Sequence, residues 1–421
     1  FGLCIMAEGD EIQQDINTLF EFNVSEPEKK ERTGRLDLSY WTYHVYTKTT
    51  LETFSQRELV CIRRYSDFVW LRDMLVDTYP GVIVPPIPEK SVKGTFEKLV
   101  MLNANALLEF RQRALRKFLV RVGAHPMLCT SDLLREFLEL SEEDFSKKKA
   151  EPKKVQPLAL GQKFKELSFS VTKTFSSSKE APRAGVATGQ DHGSTQLAAG
   201  KSGEQWDETR NYVDQLERSL SLLKERIEML VKRRRETSSS LLEFGKSFVK
   251  IGEIERAYEE GTLPKALIDV GHHSEHLSIV YQEQADNETI QVIETISYYC
   301  GLTCAVRDVI KRIQKMGLTH DTIEHNLAQL QEKKAKGGKD EDIRRLELEI
   351  NNAQQRKEEA AQGMASAEAT FSEELKRFHR EKQYDIKQML KAFVDLQLEY
   401  AGKMKTSWES VVPSVEAIKT D

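Results

Sequence analysis

The 421-residue sequence is sparing with cysteine, proline and long apolar runs. Its five cysteines (Cys4, Cys61, Cys129, Cys300 and Cys304) are odd in number and scattered. That excludes the disulfide framework of a small secreted domain and makes reduced cytosolic thiols the expectation. The longest stretch without a charged residue, 295–306, is about twelve residues, short of the roughly twenty apolar residues of a membrane-spanning helix. Neither sign of charge dominates: 62 basic against 67 acidic residues leave a net charge of -5. A chain-wide basic coat for nucleic acid is thereby excluded, though local basic patches are not. The opening FGLCIMA is too short for a signal peptide and lacks its basic start. The expectation is a gene-model edge, with Met6 a candidate start.

What the sequence does have falls into three regions. Residues 18–141 are mixed. Phe20, Phe22 and Val24 alternate, as do Trp41, Tyr43 and Val45, and then Val60 and Ile62. Period-two patterning predicts three half-buried strands. Asp67 is placed to cap a helix that carries Phe68, Leu71, Leu75 and Tyr79 and stops at Pro80. Pro85, Pro86 and Pro88 force an extended loop. A second helix is expected over about 105–122 and a short third one after Thr130. The expectation is a small α+β domain of three strands followed by helices.

Residues 142–204 read as a connector. A charged stretch leads to Leu160, Phe164, Leu167, Val171 and Phe175, spaced by fours and a three on one face of a helix over about 158–175. Lys163, Lys165 and Lys173 lie elsewhere on it. The Ser-, Gly- and Ala-rich stretch 176–204 is expected to be disordered, and such a tether gives no reason to expect rigid coupling across it. Residues 205–421 hold only two prolines, Pro264 and Pro413. Val213, Leu216, Leu220, Leu223, Ile227 and Leu230 alternate by three and four, and the frame continues through Arg234 and Thr237 to Leu241, Phe244, Phe248 and Ile251. A heptad-like stripe this long predicts a very long helix. Breaks at 261–264 and at Gly337 and Gly338 delimit two more. Three long helices with short breaks predict an antiparallel bundle. A slender bundle has high surface for its volume, so a dimer is expected.

Few residues can carry chemistry. Gly200-Lys201-Ser202 resembles the end of a phosphate-binding loop, but Thr195 stands where its first glycine belongs and no strand precedes it. Of His272, His273 and His276, two can stand at i and i+4 on a helix, and no third zinc ligand joins that pair. Cys300 and Cys304 suit a packed core, and no catalytic triad or carboxylate pair can be built from spacing. No enzyme activity, metal or cofactor is expected. Arg63-Arg64-Tyr65-Ser66-Asp67-Phe68 is different, because it sits where a strand hands over to a helix. Guanidinium forks bind phosphate and a ring face packs on a sugar. On the residues alone, a solvated basic strand end beside a core tyrosine is equally open.

RRYSDF, followed by VPPIPEK and FRQRALRKFL, resembles the PX (phox homology) domain. The resemblance implies a three-stranded sheet against helices, with a pocket for phosphoinositides, most often phosphatidylinositol 3-phosphate. By position in the motif, Arg64 would hold the 3-phosphate, Tyr65 would pack on the inositol ring, Lys90 would reach the 1-phosphate side and Arg111 would hold ring hydroxyls. Arg63 ranks lower, and Gln112 departs from a family pattern in which a second arginine is common. After 205, LVKRRRETSSSLLEFGKSFVKIG, HLSIVYQEQADNE and FHREKQYDIKQMLKAFVDLQLEYAGKMKTSWESVVPSVEAI resemble the BAR domain of sorting nexins, in particular the retromer-associated sorting nexin 1/2 subfamily.

Together these imply a PX–BAR protein with a PX domain over 18–141 and a dimeric, crescent-forming BAR domain over 205–421. It would be a peripheral adaptor on early endosome membranes and tubules, with retromer as partner in endosome-to-Golgi sorting. Its mate would be a second copy or another PX–BAR sorting nexin. The 158–175 helix would insert Phe164, Leu167, Val171 and Phe175 into the headgroup layer, or pack on the helical body. Lys333, Lys334, Lys336 and Lys339 would add attraction to anionic lipid, unless they are an ordinary solvated hairpin. The rival reading is a coiled-coil scaffold whose PX domain binds proteins.

Overall fold

The computed structural model describes residues 19–30, 40–88, 104–151, 206–258, 261–337 and 340–419. Strands β1 (Phe20–Lys30), β2 (Tyr40–Thr49) and β3 (Glu58–Arg64) form an antiparallel meander in that order. Val24 lies opposite Val45, which lies opposite Cys61. The β1–β2 register shifts between Ser25 and Glu28, around Pro27, whose nitrogen has no hydrogen to give the ladder. Helices α1 (Tyr65–Thr78), α2 (Ala104–Gly123), α3 (Asp132–Glu139) and α4 (Glu142–Ala150) follow. Phe22, Val24, Tyr43, Val45, Phe68, Leu71, Leu75, Leu115, Phe118 and Phe137 make the core.

Two local readings are corrected. Val60 faces solvent and Ile62 is only partly covered, whereas Leu59, Cys61 and Arg63 turn toward the core. A one-residue shift of parity exchanges the faces of a strand. Here the buried guanidinium of Arg63 permits it, because carbonyls satisfy it: Nε donates to Phe137 O at 2.9 Å, Nη1 to Ile62 O at 2.8 Å and Nη2 to Leu140 O at 2.5 Å. Asp67 is not the first cap of α1. It stands at the third helical position, and its carboxylate accepts the backbone N–H of Arg64 at 2.9 Å. The charged stretch after 141 contains α4, whose Phe145 is buried against Trp70 and Phe137 with ring centroids 5.1 and 5.7 Å away.

The remaining helices are α5 (Asp207–Tyr258), α6 (Thr262–Glu288), α7 (Glu294–Ala335), α8 (Asp340–Glu409) and the short α9 (Val412–Glu416). A π-helical turn, Thr289–Ile293, joins α6 to α7. Gly337, at φ +75°, closes the end of α7, where a left-handed residue is needed and glycine is favoured. The chain divides into two compact units.

The first unit holds the sheet domain from 19 to 88 and from 108 on, together with 206–214, 302–337 and 340–376 among the described residues. In it, Lys357 pairs with Glu324 at 2.6 Å and Lys334 with Glu347 at 2.9 Å, so α7 and α8 run antiparallel. The sheet domain is docked on these helices. Arg312 Nε donates to Pro80 O at 3.3 Å, and Ile83 N donates to Glu374 Oε2 at 3.1 Å. Gly81 approaches the backbone of Ala367 so closely that no Cβ would fit. His125 and Glu374 are both buried, with Nε2 to Oε2 3.1 Å. The amides of Met127 and Leu128 donate to His125 Nδ1, which leaves Nε2–H to donate to the carboxylate. A sequence reading of 176–204 as a flexible tether gave no sign of this docking; the tether itself lies outside the described residues.

The second unit contains 215–258, 261–301 and 377–419 among its described residues. Its α5–α6 seam is built from small residues. Ser238 Oγ donates to Ser278 O at 2.7 Å, and a Cβ on Gly245 would sit 2.6 Å from Gly271 O. The apolar stripe read from sequence is therefore only in part a seam inside the chain: Val213 and Leu220 are buried. Leu223, Leu230, Phe244 and Ile251, each seven or fourteen residues from the next, stay 40–47% exposed.

Arg234 interrupts that stripe for a structural reason. It donates to Glu288 at 2.9 Å, Gln284 at 3.2 Å and Gln397 at 3.0 Å, and Gln397 donates in turn to Glu288 at 2.7 Å. One guanidinium thus fixes the register of α5, α6 and α8. Glu288→Ala is expected to cost about 3–5 kcal/mol, because it leaves a part-buried cation without its counter-charge. Replacing the pair together, Arg234→Met with Glu288→Leu, is expected to be far milder. Urea denaturation followed by circular dichroism compares the two, and equal losses would show that the network holds no unpaired-charge penalty.

Candidate functional site

The site forms where β3 ends and α1 begins. Alternation along the strand turns Arg63 inward and Arg64 outward. Arg64 leaves β3 in an extended conformation, and its side chain is 43% exposed. Its Nε lies 3.4 Å from Asp67 Oδ1, and its guanidinium stands 5.7 Å from the Tyr40 ring centroid. The arginine is thus held at its base and free at its fork. Tyr65, the first residue of α1, is part-buried, and its hydroxyl donates to Pro88 O. That bond fixes the ring against the end of the proline loop. Arg72 Nε holds the same loop through Pro85 O at 3.3 Å.

Arg111 comes from α2, and its guanidinium lies 5.9 Å from the Tyr65 ring centroid. It is also beside the Tyr43 phenol. Burial pushes that phenol's pKa up, and the Arg111 charge counteracts the rise. The structure therefore brings three of the four predicted residues, Arg64, Tyr65 and Arg111, to one corner of the sheet domain. A cationic fork, an aromatic ring and a second guanidinium are what a phosphorylated polyol ring requires. Lys90 lies outside the described residues.

Three features of this corner are not legible from spacing. Tyr40 lies beside the Arg64 guanidinium. Asp67 takes a second cation, Lys149 of α4, with Nζ 2.6 Å from Oδ1. Arg63, beside Arg64, is buried and stacks its guanidinium 4.4 Å from the Phe145 ring centroid. The only hints in sequence were an acid three positions after Arg64 and a lysine run far along the chain.

The other predicted positions are dispersed. The 158–175 helix with Phe164, Leu167, Val171 and Phe175 lies outside the described residues, as does Lys339. Lys333, Lys334 and Lys336 are exposed at the end of α7. Lys334 pairs with Glu347 and Lys336 with Glu332, both at 2.9 Å, so carboxylates offset part of their charge. His273 sits 3.5 Å from Ser407 Oγ and 3.4 Å from Ser410 Oγ. No helix among the described residues is long and apolar enough to cross a membrane.

Two family models match this chain. The family described as PX domain matches residues 51–141, and the one described as Vps5 C terminal like matches residues 199–414. Sorting nexin 1 of Arabidopsis thaliana is 28% identical over 388 residues, covering 90% of this chain and 89% of that protein. Sorting nexin-2 of Homo sapiens is 27% identical over 420 residues, covering 97% and 75%. A solved structure, the cryo-EM structure of the SNX-BAR Mvp1 tetramer, superposes with a TM-score of 0.62 at 18% identity, covering 93% of this chain and 99% of that one. This last likeness shows the fold. Fold and matches define a PX domain joined to a Vps5-type BAR region. The chain belongs to the PX–BAR sorting nexins, homologous to sorting nexins 1 and 2, and so to the trafficking membrane adaptors.

Proposed function

We propose that this chain is a non-enzymatic peripheral adaptor that reads phosphatidylinositol 3-phosphate and membrane curvature on early endosomes. It would form tubules there and hand cargo to retromer-linked endosome-to-Golgi sorting. The observation that carries this reading is the exposed Arg64 fork beside Tyr65, with Arg111 across the ring. Arg64 takes the 3-phosphate, Tyr65 packs on the inositol ring, Arg111 holds ring hydroxyls and Lys90 serves the 1-phosphate. The 158–175 helix supplies apolar insertion through Phe164, Leu167, Val171 and Phe175, and Lys333, Lys334, Lys336 and Lys339 add weak attraction to anionic lipid.

Two copies are part of the proposal. Phe244 and Ile251 on α5, and Leu390, Val394 and Leu398 on α8, are large apolar side chains left exposed in one chain. Large apolar side chains left uncovered on helix faces mark an association surface. The occupant is a second PX–BAR chain, the same or a related one. Single lipid contacts are weak, and pairing them on one body raises avidity without new contacts.

A fluorescent fusion of the full chain tests the cellular half of this reading. It is expected to mark endosomal puncta and tubules and to leave them when 3-phosphoinositide synthesis is inhibited. Puncta that persist under inhibition would favour a protein scaffold instead.

A further inference from the structure

We propose that Lys149 is a positioning residue for the Arg64 guanidinium, acting through Asp67. The proposal rests on the reading of Arg64 as a phosphate ligand. Asp67 Oδ1 is shared by two cations, Lys149 Nζ at 2.6 Å and Arg64 Nε at 3.4 Å, while Oδ2 accepts the Arg64 backbone N–H at 2.9 Å. With Arg64 alone, Asp67 would complete a neutral pair. Its carboxylate would compete with an arriving anion for the guanidinium and would repel it. Lys149 is the nearer partner and takes up the carboxylate's charge. The trio then carries one net positive charge, and the Arg64 fork is left for a phosphomonoester.

The placement of Lys149 is built, not incidental. Phe145 anchors α4 in the core of the sheet domain, between Trp70, Phe137 and the Arg63 guanidinium. One turn on, Lys149 is mostly covered and lies 6.0 Å from the Phe145 ring centroid. Its neighbours are committed elsewhere: Lys147 to Asp144 at 3.1 Å and Lys148 to Glu136 at 2.8 Å. Of the three lysines, Lys149 is the one bonded to Asp67. The charge state of the site thereby depends on a helix that follows the sheet domain in sequence.

Calorimetric titration of the full chain with soluble inositol 1,3-bisphosphate tests this with Lys149→Ala, Lys149→Arg and the double variant Lys149→Ala/Asp67→Asn. Coupling through a shared partner predicts that Lys149→Ala weakens binding about five- to tenfold. Lys149→Arg is expected to retain binding to within about twofold, because it keeps the charge-assisted bond. The double variant is expected to recover most of the loss, since a neutral residue 67 no longer needs a counter-ion. A merely structural lysine would not be rescued by removing its partner. Wild-type binding with an unchanged Lys149→Ala overturns the inference alone, as does a double variant weaker than Lys149→Ala. Loss of the near-ultraviolet dichroism of Lys149→Ala would make the residue a fold element and also overturn it. Failure of the wild type to bind would remove the Arg64 reading itself, and this inference with it.

Discussion

Arg64→Ala is expected to weaken binding to phosphatidylinositol 3-phosphate vesicles by about a hundredfold or more and to erase preference for that lipid. Two charge-assisted bonds to one phosphate, each worth roughly 1.5–3 kcal/mol, set this scale. The fold is expected to survive. The side-chain contact to Asp67 is long and part-exposed, a class worth at most about 1 kcal/mol, and the backbone N–H that Asp67 accepts remains. Arg64→Lys is expected to fall between, because an ammonium cannot reproduce the planar fork. Arg63→Ala separates the two neighbours. It removes three bonds to carbonyls of β3, α3 and the turn after it, so its loss registers in melting temperature. Surface plasmon resonance on vesicles of matched charge, with and without the 3-phosphoinositide, reads the Arg64 effect. Retained selectivity in Arg64→Ala would sink the pocket assignment.

Phe244→Glu with Ile251→Glu is expected to convert the purified protein from dimer to monomer. Both side chains are 47% exposed within one chain, so the substitutions leave the protomer's own packing largely alone. In a paired copy they would bury two unpartnered carboxylates per chain. Since linked sites gain about 10²–10⁴ in avidity over either alone, vesicle binding is expected to fall in that range while soluble headgroup binding stays unchanged. Sedimentation equilibrium measures the mass, and titration with soluble headgroup measures the site. A double variant that remains dimeric would place the mate on another face. Leu390→Glu with Leu398→Glu then tests the exposed residues of α8.

Much of this was legible in the sequence. The three long helices were readable because an apolar period of three and four persists over many turns and breaks at Gly337 and around Gly261. The strands were readable from alternation, except β3, where parity failed. Val60 and Ile62 look like a buried face, and only satisfaction by distant carbonyls explains why Arg63 is buried instead. The α5 stripe was found, but its partner was not. Leu223, Leu230, Phe244 and Ile251 stand out by size, whereas the seam inside the chain uses Ser238 and Gly245, which hydropathy does not mark. At the candidate site, the family resemblance named Arg64, Tyr65 and Arg111, which meet at one corner of the sheet domain. It did not name Lys149, because nothing in a charged run of lysines says which one will meet Asp67. The docking of Pro80, Gly81, Ile83 and His125 on α7 and α8 was equally hidden, since long-range backbone contacts leave no local period.

Vesicle flotation of the full chain tests the central claim most directly. Small and large vesicles at matched total lipid are compared with and without phosphatidylinositol 3-phosphate. The account predicts selective flotation with the 3-phosphoinositide that strengthens on the small vesicles. Flotation indifferent to both lipid identity and vesicle size would contradict it.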